Sequence, residues 1–412
     1  MSLNHRDGAL PPKAPAGSGA AEPTPKVDGG RLLTLTWSHL LNDGASNYLP
    51  GVLPAVLVSL HDPVRLAGGL MAALIAGQTL QPVAGWLADR LGGRSLVVSG
   101  LFLTSLGGSL LGFAHSTGVL IALLLMIGAG GALFHPQALA AVRNSLEGKQ
   151  GLVTSAFLVG GELGRGLWPT IAGLVVAHFG LGGLWVMGLP GLLTVPLLRQ
   201  MAPRLRPKPR QERRIGWRAH WRPLSLLVGY RSIRALTTYA MATFIPIMWH
   251  LRGGSLVGGA SIITTMITVG VIGNLWGGHM ADRLGRRPIL VASAVAVAGL
   301  ILPVAYLGGA WLWVCAALLG IALFLTASST ILIGQDIFPE NRSLGSGIAL
   351  GFANGVGALL VFVIGLWVND ADISAIFVAV AVLSLASTLL ALGFSSELMH
   401  GHLPSSRRRS PA

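Results

Sequence analysis

A few ionisable side chains stand inside long apolar runs of this 412-residue chain, at spacings that place them on shared helix faces. His39, Asp43 and Asn47 recur every four residues, so a helix stacks them along one side. Glu162 and Arg165 are three apart, close enough on a helix to neutralise one another. Arg231 and Arg234 repeat that spacing, with Thr237, Thr238 and Tyr239 following. Carboxylates and imidazoles in such places can take up and return protons. Guanidinium forks match the oxygens of carboxylates and phosphates. Each group also has a plainer reading, in which it only hydrogen-bonds one helix to the next.

Ionisable groups at membrane depth are costly and usually face a cavity or a partner. The face of His39, Asp43 and Asn47 is expected to line a central pathway. His135 precedes Pro136, which frees a backbone carbonyl and can kink its helix. Protonating Glu162 would release Arg165, which turns an ion pair into a switch. Counted from Leu224 at 1.5 Å per residue, Arg231 and Arg234 lie roughly 10 and 15 Å inside. Two arginines at that depth favour an anionic ligand, or pair with Glu162, Asp43 or Asp336. Asn354 lies among Gly351, Gly355 and Gly357. The candidate substrate contacts are therefore His39, Asn47, His135, Arg165, Arg231, Arg234, Tyr239 and Asn354, and the candidate proton carriers are Asp43 and Glu162.

Such residues need a frame that buries them. Hydrophobic residues form 52% of the chain and charged ones 11%, whereas a soluble domain carries about 25% charged residues. Mean hydropathy is +0.67. This is the composition of a polytopic membrane protein with the lipid bilayer as its solvent. A span needs about 20 apolar residues, and the apolar runs mark twelve. They lie at roughly 34–60, 64–88, 95–114, 117–142, 151–177, 181–198, 224–249, 257–280, 288–308, 311–335, 343–369 and 373–394. The expected fold is an all-α membrane protein with twelve transmembrane helices in two six-helix, pseudo-symmetric halves. Its expected divisions are a disordered cytoplasmic tail at 1–33, a six-helix domain at 34–198, a basic cytoplasmic linker at 199–222, a second six-helix domain at 223–395 and a cytoplasmic tail at 396–412.

The formal charge of +14 does not point to nucleic acid. The cations gather in the tails and alternate loops, without the interleaved aromatics that stack bases. Arg90, Arg94, Arg143, Lys149, Arg283, Arg286, Arg287 and Arg342 fall in one set of loops, and little beyond Arg65 and Arg252 in the other. By the positive-inside rule both termini are cytoplasmic. Cys315, the single cysteine, sits in an apolar run as a small packing residue. There is no P-loop, CxxC pair or HExxH motif. His39, His135 and His279 fall on different spans without ligand spacing, so neither a metal site nor enzymatic chemistry is expected. No cofactor is called for, and an ion gradient, carried by protons, is the expected energy source.

Two loops share one pattern. The first reads Gly85-Trp-Leu-Ala-Asp89-Arg90-Leu-Gly92-Gly93-Arg94, and the second Gly278-His-Met-Ala-Asp282-Arg283-Leu-Gly285-Arg286-Arg287, at a spacing of 193 residues from Asp89 to Asp282. At the same offset Gly161 falls on Asn354 and Gly164 on Gly357, so the chain repeats itself. The loops resemble the signature of the major facilitator superfamily of transporters. Ser38-His39-Leu-Leu-Asn42-Asp43, Phe134-His135-Pro136, Gly160-Gly161-x-x-Gly164, Tyr230-Arg231-Ser232 and Phe244-Ile-Pro246 further resemble the fosmidomycin-resistance branch.

That resemblance implies export of a small, drug-like and possibly anionic compound in exchange for protons, by alternating access of two halves. The two loops would act as gates, through Gly85, Asp89, Arg90, Arg94, Gly278, Asp282, Arg283, Arg286 and Arg287. The chain departs from the branch at Gln137, where an acid is usual, and at Glu162 and Arg165, where neutral or small residues are usual. The acid has moved from the fourth span to the fifth, or coupling differs, and substrate identity does not carry over. Import of an anion, uniport and a non-transporting membrane sensor are the alternatives. The expected partners are the bilayer and a small molecule, with the protein a monomer in the cell membrane.

Overall fold

The computed structural model describes residues 29–81, 83–84, 87, 93–144, 150–203, 217–339, 342–367 and 373–400. Residues 1–28 and 401–412 of the expected tails, most of the 199–222 linker, and the loop residues Gly85, Asp89 and Arg90 lie outside them, whereas 29–33 and 396–400 are helical. The regular structure of the described residues is helical, as long apolar runs require in lipid, where every backbone N–H must bond within its own segment.

The helices follow the chain as α1 (Gly29–Asn47), α2 (Leu49–Leu60), α3 (Ala67–Gln78), α4 (Gly93–Leu110), α5 (Thr117–Asn144), α6 (Gln150–Phe179), α7 (Trp185–Met201), α8 (Trp217–Leu251) and α9 (Leu256–Leu284). Then come α10 (Arg286–Tyr306), α11 (Trp311–Phe324), α12 (Ala327–Ile337), α13 (Arg342–Gly347), α14 (Ala353–Gly365), α15 (Ser374–Leu392) and the short α16 (Ser396–His400). Among the described residues, eight helical stretches are long and apolar enough to cross a membrane, beginning with Gly93–Phe113 and ending with Ser374–Leu392. The helices carrying the ionisable pairs, α6 and α8, run for 30 and 35 residues.

Of the expected spans that are not continuous α-helices, three are interrupted near polar residues, whereas the second turns at Thr79 and Leu80 after α3. The first breaks at Tyr48, because Pro50 has no N–H to bond the carbonyl of Ser46. The tenth breaks at Leu325 and Thr326, between α11 and α12. The eleventh passes through a π-helical stretch, Ile348–Phe352, before α14. Such departures often mark functional sites, and here each lies beside a buried polar group.

Helix pairing recurs along the chain. In the first group α1 packs on α6, α3 and α4 on α5, and α4 on α7. After residue 217, α8 packs on α14, α9 and α10 on α11, and α10 on α15. The two groups meet where α6 crosses α9 and α3 crosses α14. Thr170 donates to Thr264 at 2.6 Å in the first crossing. In the second, a β-carbon on Gly68 would stand 2.6 Å from Val361 O.

The α1–α6 seam is built on glycine, and that closeness carries the polar residues of α1 to α6. A β-carbon on Gly160 would stand 2.7 Å from Thr36 O. Gly160→Val is therefore expected to cost about 1–3 kcal/mol, as overpacking does. It should lower the melting temperature in detergent, while Gly299→Val, with nothing within 4 Å of its new β-carbon, leaves it unchanged. Equal melting of the two variants would show that the seam tolerates separation.

Candidate functional site

The centre of the first group is Asp43, a carboxylate only 1% exposed. Its Oδ1 lies 2.8 Å from His135 Nε2 and accepts from Asn42 Nδ2 at 3.3 Å. Its Oδ2 accepts from Arg165 Nη2 at 3.1 Å and lies 3.5 Å from His39 Nε2. A buried carboxylate must be matched this way, since an uncompensated charge at this depth costs several kcal/mol. Arg165 turns its other arm to Glu162, with Nη1 3.3 and 3.5 Å from the two carboxylate oxygens. The guanidinium therefore bridges two acids, one sealed and one half-buried. The Glu162–Arg165 pairing expected from spacing is present, and the bridge to Asp43 extends it across helices.

Both histidines are fixed from behind. His39 Nδ1 bonds Phe157 O at 2.8 Å, and its ring stacks on Phe157 with centroids 4.1 Å apart. His135 Nδ1 bonds Gly131 O, one turn earlier, at 2.7 Å. His39 is 4% exposed, so it is held in the packing between α1, α5 and α6 and does not line an open path. Asn47 Nδ2 donates to the carbonyl of Asp43 at 2.8 Å, beside the Tyr48 break. His39 and His135 belong to different helices and lack ligand spacing in the sequence, yet the fold brings them together. They meet around Asp43, and one ligand atom from each of the three residues lies within 4.8 Å of the others. His279 is exposed on α9.

The second group uses its arginines differently from one another. Arg234 is 2% exposed, and its Nη2 donates to Ser293 Oγ at 2.8 Å, Ala322 O at 2.8 Å and Leu323 O at 2.6 Å. Those carbonyls are the last of α11, which the break leaves without helical donors, and a cation suits that end of the helix dipole. Arg231 Nε donates to Ala349 O at 3.1 Å, inside the π-helical stretch, and its Nη2 reaches Asn354 Oδ1 at 3.4 Å. Each arginine thus braces one irregular helix, and Arg234 is too enclosed to meet a ligand directly. Arg231 remains half-buried. Tyr239, on α8, stands within electrostatic range of both Arg165 and Arg231. The third expected acid, Asp336, pairs instead with Arg286, Nη1 to Oδ2 at 2.6 Å.

The repeated loops meet the helix ends. Arg94 Nη2 donates to Arg199 O and, at 3.4 Å, to Gln200 O, at the end of α7. Arg287 Nη2, its counterpart in the second loop, donates to Phe394 O just beyond α15 at 2.5 Å. The last arginine of each copy therefore caps the sixth expected helix of its group. Asp282 and Arg283 are exposed at the end of α9, and Gly285 turns the chain at φ 85°.

Sequence spacing missed Asn42, Ser293, Thr170 and Thr264. Asn42 had a signal, since it adjoins Asp43, whereas the other three are placed only by tertiary packing.

The model of the Major Facilitator Superfamily matches residues 35–361 and 232–410. The fosmidomycin resistance protein of Escherichia coli (strain K12) is 25% identical over 389 residues, covering 92% of this chain and 96% of that protein. An uncharacterised transporter of this type from Bacillus subtilis (strain 168), YfnC, is 26% identical over 380 residues, covering 87% of this chain and 91% of that protein. Among solved structures, a peptide transporter POT in complex with sulfate superposes with a TM-score of 0.75 at 14% identity, covering 92% of this chain and 98% of that one. The nucleoside transporter NupG gives 0.73 at 14% identity, covering 89% and 100%. With its helices, its repeated loops and its family match in agreement, the chain belongs to the Major Facilitator Superfamily of membrane transporters.

Proposed function

We propose that this transporter exports a small anionic drug-like compound or metabolite in exchange for protons, by alternating access of two six-helix halves. The observation that carries the reading is the Glu162–Arg165–Asp43 bridge. Asp43 already holds Arg165, His135 and Asn42, while Glu162 has Arg165 alone among the contacts described. Glu162 is thus the carboxylate whose protonation rearranges the bridge, because a neutral Glu162 weakens its hold on Arg165. Arg165 and Asp43 are the charged groups that act on Glu162, and His39 and His135 lie against Asp43. A ligand and a proton shift the halves only through unequal affinity for their two states. A guanidinium released in one state and engaged in the other supplies that inequality.

Twelve spans, both termini in the cytoplasm and a monomer in the cell membrane complete the proposal. The recurring helix pairs support the two halves, and similarity to the fosmidomycin resistance protein of Escherichia coli supports an efflux reading. The test begins with growth inhibition by a panel of small anionic and amphiphilic compounds, fosmidomycin among them, in expressing and non-expressing cells. A compound that scores is loaded with the purified protein into proteoliposomes carrying a pH gradient. Uphill flux is expected, and it should collapse when a protonophore dissipates the gradient. Flux indifferent to the gradient would make the protein a uniporter, and ligand binding without counterflow a sensor.

A further inference from the structure

In both buried histidines of the first group, Nδ1 is committed to a backbone carbonyl. A carbonyl only accepts, so each Nδ1 carries hydrogen, and in the neutral ring each Nε2 turns a lone pair towards Asp43. His135 Nε2 is 2.8 Å from Oδ1. A nitrogen lone pair and a carboxylate oxygen at that distance need a positive species between them. A proton is one such species, and a divalent cation is another.

We propose that His39 Nε2, His135 Nε2 and the Asp43 carboxylate form a binding site for a divalent transition-metal ion of the zinc class. Zinc binds imidazole nitrogen and carboxylate oxygen at about 2.0–2.2 Å, so two such ligands at tetrahedral corners stand about 3.4 Å apart. The spacings here are 2.8 Å from His135 Nε2 to Asp43 Oδ1 and 3.5 Å from His39 Nε2 to Asp43 Oδ2. All three ligand atoms fall within 4.8 Å of one another. Small rotations of the carboxylate then place an ion among them.

The outer contacts are those that metal-binding histidines need. Phe157 O and Gly131 O fix both tautomers with Nε2 inward and orient both rings. Charge agrees as well. Asp43 and Glu162 face one guanidinium, Arg165, so with neutral histidines the cluster carries net negative charge. When the ion takes Asp43, Arg165 keeps Glu162 as its partner. The His135 side chain is 28% exposed, which gives the ion an approach and leaves room for a water as fourth ligand.

The full-length chain, free of any affinity tag and stripped of metal, is reconstituted in lipid nanodiscs and titrated with Co²⁺, read by its visible d–d absorption. One Co²⁺ per chain is expected, with the bands of a four-coordinate site, released on adding Zn²⁺. Binding should release protons, because the ion replaces one. Affinity should fall about tenfold or more in His135→Gln and in His39→Gln, and stay unchanged in His279→Gln. Size exclusion and melting of the metal-free variants check folding. His135→Gln carries the test if His39→Gln, whose ring is packed against Phe157, does not fold. Absence of the bands in wild type, or bands that survive His135→Gln and vanish in His279→Gln, would overturn the site. Glu162→Gln removes one negative charge from the cluster but no ligand, so it should weaken Co²⁺ binding and keep the four-coordinate bands whether or not it transports. A failure of proton coupling and a failure of metal binding are thus read separately.

Discussion

Glu162→Gln should still bind its ligand measurably, and yet lose all accumulation driven by a pH gradient. Glutamine keeps the shape of Glu162 and an acceptor for Arg165, so the helix seam and the bridge to Asp43 survive. What disappears is the group that can be charged in one state and neutral in the other. With one proton exchanged per substrate, each pH unit sustains about a tenfold concentration ratio. The variant should level at a ratio of one while still exchanging labelled for unlabelled compound across the membrane. The measurement is paired: uphill uptake into inside-out vesicles, and counterflow without a gradient. Wild-type accumulation by the variant would remove Glu162 from coupling.

The second large effect is on stability. Asp43→Ala should destabilise the folded protein by about 3–5 kcal/mol, the usual cost of removing one partner from a buried ion pair. The change leaves Arg165, His135 and Asn42 without the buried acceptor they share. Asp43→Asn should cost much less, because its amide oxygen still accepts from one donor. The check is the midpoint of unfolding in detergent, with size exclusion to confirm a single species. If Asp43→Ala melts with wild type, Arg165 has turned fully to Glu162, and the cluster is held by packing alone.

The chain disclosed its scaffold more readily than its site. Apolar runs and the duplicated loops were enough for a helical membrane fold with internal repetition, because in lipid a helix is the cheapest way to pair every backbone group. The Glu162–Arg165 contact was also legible, since spacing of three fixes it within one helix. Contacts between helices were not. Nothing in the spacing of His39 and His135 says that α1 and α5 meet at Asp43, and nothing near Asp336 assigns it to Arg286. Arg231 and Arg234 read as anion binders or as partners of a buried acid, whereas the structure directs their donors to carbonyls of two irregular helices. Those irregularities were hidden because neither Thr326 nor the Ile348–Phe352 stretch contains a proline to announce a break.

Where the interior charges lie has a consequence of its own. Among the described residues, the surplus of negative charge sits with α1 and α6, while Arg231 and Arg234 on α8 lack a carboxylate partner. The molecule is thus electrically lopsided across its waist, like a charged condenser whose plates are its moving parts. An anion on the α8 side and a proton on the α6 side each discharge one plate. Each arrival slackens the pull between the plates, so cargo and proton would act on a single mechanical variable, the tension across the gap.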